Sequence, residues 1–79
     1  MAWTGLTDYR FSDPAEMTPE RAAQVRAWRV DQDLSWRGVA YSATEAWGSE
    51  WGDNQLYGRE LCVAAATVLS EDPDDDPWN

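Results

Sequence analysis

An all-α, three-helix domain is what this sequence predicts, and three observations predict it. Apolar residues recur at helical spacing in successive windows, cap residues stand where those windows open, and nothing alternates with period two over a useful length. With 79 residues there is room for one domain, near the lower limit at which a core outweighs chain entropy without covalent staples. The expected division is an N-terminal arm (1–17), a three-helix domain (18–70) and an acidic disordered tail (71–79).

Residues 1–17 mix aromatics with the turn formers Gly5, Ser12, Asp13 and Pro14 and hold no sustained period. They read as an arm, with Trp3, Leu6, Tyr9 and Phe11 available to dock on the body. At Thr18-Pro19-Glu20 a hydroxyl cap, a proline at the first helical position and an acid in the first turn mark a helix start. The helix is expected from Pro19 to about Val30, with Ala22, Val25, Trp28 and the aliphatic carbons of Arg29 facing inward. Asp31-Gln32-Asp33 then breaks it. Ser35 is the second cap, and behind it Trp36, Val39, Ala40, Ala43 and Trp47 fall on one apolar stripe. Leu34, just ahead of that cap, is placed to act as a hydrophobic staple on Val39. Gly48 and Gly52 punctuate a loop containing Trp51, after which Asp53 or Asn54 caps a third helix bearing Tyr57, Leu61, Ala64, Ala65 and Val68 at helical spacing. The small residues Ala64, Ala65 and Ala66 permit a close helix neighbour, and Pro73 bars continuation.

The chain has fifteen acidic side chains, six arginines, no lysine and no histidine, for a net charge of −9. Five of the acids and no base lie in Glu71 to Asn79, so the tail carries −5 of that charge. Asp74, Asp75 and Asp76, bracketed by Pro73 and Pro77, cannot propagate a helix, and an extended, solvated segment is expected. Trp78 is the exception in that run, an aromatic costly to leave in water, and is read as an anchor on the body or on a partner.

Serine, cysteine and histidine arrangements for covalent catalysis need a histidine that the chain lacks, and Cys62 stands between Leu61 and Val63 with no adjacent base. Paired carboxylates such as Glu45 with Glu50, or Glu60 beside Arg59, are indistinguishable from a solvated face. No phosphate-cradling glycine loop, no calcium loop and no histidine–cysteine metal set is present. No catalytic residue, cofactor or metal is therefore expected, and the protein is read as a non-enzyme. No apolar run approaches the roughly 20 residues of a membrane span, and no leader-like segment opens the chain, so a soluble, cytoplasmic protein is expected. Six tryptophans compensate for the short chain, each able to bury roughly 150–250 Å².

Two resemblances attach to these residues. Leu34-Ser35-Trp36-Arg37-Gly38-Val39-Ala40 resembles the opening of the second helix of helix-turn-helix repressors. The tight turn of that motif usually carries a glycine where this chain has Thr44, and the loop from Gly48 to Asp53 is longer than the usual three or four residues. From Thr18 to Asn79, with Arg26-Ala27-Trp28-Arg29, Ser35-Trp36-Arg37, Asn54-Gln55-Leu56-Tyr57-Gly58, Leu61-Cys62 and the Pro77-Trp78-Asn79 ending, the chain resembles a group of small acidic, helix-turn-helix-like proteins of actinobacteria and their phages. That resemblance implies a viral or host setting and little chemistry.

The function expected is that of a small interaction protein, of phage type, binding a host or viral protein through aromatic side chains and the acidic tail. The residues expected to carry it are Trp28, Trp51, Trp78, Asp74, Asp75 and Asp76. Mimicry of a phosphate backbone ranks below plain interaction, because it needs acids in rows on a rigid surface. The alternative is a helix-turn-helix-like DNA binder in which Arg26, Arg29, Arg37 and Arg59 touch phosphates, although so acidic a chain is repelled by nucleic acid overall. Pairing of those arginines with Asp31, Asp33 or the tail competes with that reading. A virion structural component or a homo-oligomer completes the set.

Overall fold

A computed structural model describes residues 17–78; the expected arm, apart from Met17, lies outside them. Helix α1 runs over Pro19–Arg26 and continues into a π-helical turn over Ala27–Asp31, α2 spans Trp36–Trp47, and α3 spans Gln55–Val68. There is no strand among the described residues. The domain is all-α, as the periodicity predicts.

Each helix starts where a side chain replaces the missing backbone acceptor of the first turn. Thr18 Oγ1 accepts from the Arg21 amide at 3.1 Å, and Ser35 Oγ accepts from the Gly38 amide at 3.1 Å. Of the two candidates for the third cap the structure selects Asn54, whose Oδ1 accepts from Leu56 and Tyr57 at 2.8 and 3.1 Å. Asp53 is turned outward to Arg37 instead.

The end of the first helix is wider than an α-helix. The Gln32 amide bonds to the Ala27 carbonyl at 2.9 Å, five residues back, and Leu34 bonds to Trp28 at 3.1 Å. Asp33 then takes a left-handed conformation (φ 54°), which aspartate tolerates better than most residues. The Asp-Gln-Asp break is thus real.

The core is built from Met17, Ala22, Val25, Trp28, Val39, Ala40, Ala43, Tyr57, Leu61, Cys62, Ala64, Ala65, Ala66 and Trp78, with Leu34, Trp36, Trp47 and Trp51 packed partly against it. α3 packs against both α1 and α2. It approaches α2 tightly at Gly58, where a Cβ built on the backbone would stand 1.7 Å from the Trp36 carbonyl oxygen. The helices meet backbone to backbone there, a contact that only glycine allows.

α3 closes in a Schellman arrangement. Ser70 occupies the left-handed position (φ 60°), its amide donates to Thr67 at 3.1 Å, and the Glu71 amide reaches back to the Ala66 carbonyl at 2.8 Å. Serine stands where glycine is the usual residue, and a left-handed non-glycine costs about 1 kcal/mol. Ser70→Gly is therefore expected to stabilise the fold by up to about 1 kcal/mol, read as a higher urea midpoint at unchanged slope. A lower midpoint would count against this turn geometry.

Beyond Ser70 the structure departs from the extended, solvated tail. Consecutive turns, in which Asp75 N bonds to Asp72 O and Trp78 N to Asp75 O at 3.2 and 3.0 Å, fold the segment back on the body. Trp78 is fully buried. Local repulsion and proline chemistry favour an extended segment, while burial of the Trp78 indole and pairing with distant arginines act in the other direction and prevail here.

Candidate functional site

Three of the four arginines that the sequence offers as phosphate contacts, Arg26, Arg29 and Arg59, converge on the acidic segment. Arg26 Nε donates to both oxygens of Glu71, at 3.0 and 3.2 Å. Arg29 Nε donates to the Trp78 carbonyl at 2.8 Å, while its Nη1 holds the Leu34 carbonyl at 2.6 Å. Arg59, on α3, donates to Asp74 Oδ1 at 2.7 Å and to the Pro73 carbonyl at 3.4 Å. Glu71 is the hinge of this network, because its Oε1 also accepts from the Trp78 indole Nε1 at 2.6 Å. One segment therefore satisfies a cation from α1, one from the π turn and one from α3.

The same guanidiniums pack on indole rings. Arg29 and Arg59 lie over Trp36, 5.6 and 5.1 Å from the ring centroid, and Arg21 lies 4.8 Å from that of Trp47. Trp47 in turn meets Trp28 with ring centroids 5.3 Å apart. The Trp36 indole nitrogen is buried without a hydrogen-bond partner. Its ring, not its N–H, is what the fold uses.

Glu71 has its carboxyl held below the ordinary value of 4.5, first by the hydrogen bond from Trp78 and then by Arg26. A carboxyl whose folded value is depressed adds stability that is present above its unfolded value and is lost as the pH falls through the folded one. Glu71→Gln is expected to be less stable than the native chain at pH 7, and the gap should close as the pH drops below about 4.5. Taking the difference between the two chains removes the general relief of repulsion as the other acids protonate. Urea unfolding from pH 7 to pH 3 measures this, and a gap that widens on acidification would refute the assignment.

Arg37 pairs with Asp53 at 2.6 Å on an exposed edge, lowering the Asp53 carboxyl below its usual range chiefly through that hydrogen bond. Beside this pair lies an open groove of about 450 Å³, lined by Ser35, Arg37, Gly38, Tyr41 and Asp53. Glu60 is raised by partial burial, and burial pushes the Cys62 thiol up to about 11. A thiol so far above neutrality is a poor nucleophile. Among the described residues no group of three or more metal-ligating side chains gathers, and no helix is long and apolar enough to cross a membrane.

The residues expected to face a partner therefore divide. Trp28 and Trp78 are buried within the chain and cannot present their rings to one, since both fill the core. Trp51 is half-buried, its ring 6.5 Å from that of Tyr57. Asp74 is exposed but held by Arg59, while Asp75 and Asp76 are exposed. Arg26, Arg29, Arg37 and Arg59 all have partners inside the chain. Sequence reasoning missed Glu71 as the hinge, as well as the exposed apolar positions Tyr41 and Leu56. Tyr41 and Leu56 both lie off the helical stripes that defined the core, which is the signal that finds them. The connection 48–54 between α2 and α3 is tied down by Thr44 Oγ1, which donates to the Gly52 carbonyl at 2.8 Å. It is longer than a helix-turn-helix turn.

Comparison with protein-family models, with curated proteins and with solved structures finds no match to this chain.

Proposed function

We propose that this chain is a non-enzymatic interaction protein, of the phage type its sequence resembles, that binds a positively charged face of a protein partner. The observation that carries the reading is the inward turn of the arginines. Once Arg26, Arg29 and Arg59 are engaged by the 71–78 segment and exposed Arg37 is paired with Asp53, the exposed charge is dominated by acids, among them Glu20, Asp31, Asp33, Glu45, Glu50, Asp72, Asp75 and Asp76. Such a surface attracts basic partners at long range and repels phosphate. Exposed Tyr41 and Leu56 add apolar contacts of the kind that anchor interfaces.

A DNA-reading role draws no support from the arginine geometry, because each candidate phosphate contact would first have to leave an internal partner. Capture from a GC-rich actinobacterial host lysate, with an Asp75→Asn/Asp76→Asn chain as control, tests the proposal. Those two side chains are exposed, so their neutralisation spares the fold. A basic partner retained by the native chain and lost by the control supports the reading. An electrophoretic shift of duplex DNA by the native chain at low salt would overturn it in favour of the alternative.

A further inference from the structure

The segment from Glu71 to Trp78 is bound to the body as a peptide is bound in a receptor groove. It contributes neither helix nor strand, and apart from the Glu71 amide's bond to the Ala66 carbonyl, the hydrogen bonds that tie it to the body come from arginine side chains far away in sequence. Arg26 grips Glu71 and Arg29 grips the Trp78 carbonyl, across separations of 45 and 49 residues. The seat has a fully enclosed place for one indole and three guanidiniums that meet, in order, a carboxylate, a backbone carbonyl and a second carboxylate. None of these contacts depends on the segment belonging to the same molecule. The covalent link runs through Ser70, which is held at φ 60°, a conformation that extended backbone would relieve.

We infer that this seat is an exchangeable binding site whose second occupant is the Glu71–Trp78 segment of another copy of this chain. Reciprocal exchange gives a two-fold dimer in which each body holds its neighbour's segment, with the indole seat and the Arg26, Arg29 and Arg59 contacts of the monomer reproduced and only the bonds of the Ser70 turn given up. The self-segment wins at low concentration because a short link holds it near the seat at millimolar effective concentration. Exchange therefore dominates when the link cannot fold back. This inference goes beyond the acidic-face reading and does not rest on it, since the exposed acids and the seat are different surfaces.

Ser70→Pro supplies the test, because proline cannot adopt a positive φ and directs the chain outward. Light scattering on the full-length variant should give twice the 9.0 kDa of one chain, and adding Trp78→Ala should return it to a monomer. A folded Ser70→Pro chain that stays monomeric at millimolar concentration overturns the inference, as does a dimer that survives Trp78→Ala. A second arm covers the case in which the proline variant does not fold: a fluorescein-labelled peptide of residues 71–79 is titrated against full-length Trp78→Ala. Saturable binding, lost when the peptide carries alanine for its tryptophan, supports the site, and absence of saturable binding overturns it.

Discussion

Gly58→Ala should unfold this protein or come close to it. On helix propensity alone the change is favourable by about 1 kcal/mol, since Gly58 sits in the interior of α3. Packing reverses the sign. The added methyl would stand 1.7 Å from the Trp36 carbonyl oxygen and 2.6 Å from its carbonyl carbon, and both are backbone atoms at the start of α2 that no rotamer change can move. Restoring van der Waals separation requires the helices to part by roughly 1.5 Å, in an interior where a single methylene is felt. Parting them also draws Trp36 away from Arg29 and Arg59. A loss of about 3 kcal/mol or more is expected, against a total stability of about 4–12 kcal/mol for a chain of this length. Thermal unfolding followed by circular dichroism measures it, and a melting temperature within a few degrees of the native value would mean that the crossing is not where the structure places it.

Trp78→Ala should cost about 3–5 kcal/mol, the usual range for deleting a buried aromatic. The loss exceeds that of the ring's own contacts with the core. Without the indole, Glu71 loses the donor that chiefly lowers its carboxyl, and Arg29 loses the carbonyl that the ring holds in place. Urea denaturation should show a lower midpoint. Duplex DNA should bind the variant better than the native chain, because guanidiniums are freed as the segment lifts. A variant as stable as the native chain would show that the segment is not part of the fold.

Both residues explain what the sequence could and could not disclose. The helices were legible because their signals are local: Thr18 and Ser35 cap first turns three residues long, and the stripe from Trp36 to Trp47 repeats within one element. Gly58 was not, since a glycine inside an otherwise helical run marks a close neighbour without saying which one. The widening at Ala27–Asp31 has no signal in residue type at all. The segment was misjudged because Asp74, Asp75, Asp76 and two prolines describe its local preferences accurately, while the bonds that override them come from Arg26, Arg29 and Arg59. A tryptophan in a run of acids was the one clue in the sequence. Of its two readings, anchor on a partner or on the body, the structure shows the second. For the arginines, spacing places Arg26 and Arg29 on one face, and of the pairings weighed, with Asp31, Asp33 or the tail, the structure shows the tail.

The 71–78 segment is an ordered part of the molecule, held by the Trp78 seat and by Arg26, Arg29 and Arg59. Backbone ¹⁵N heteronuclear relaxation measures this directly on the unmodified chain. The fold described predicts {¹H}–¹⁵N enhancements for the non-proline residues of 71–78 equal to those of α1, α2 and α3, with the Trp78 indole proton protected from exchange. Enhancements that drop toward zero immediately after Ser70, with a freely exchanging indole, would contradict it.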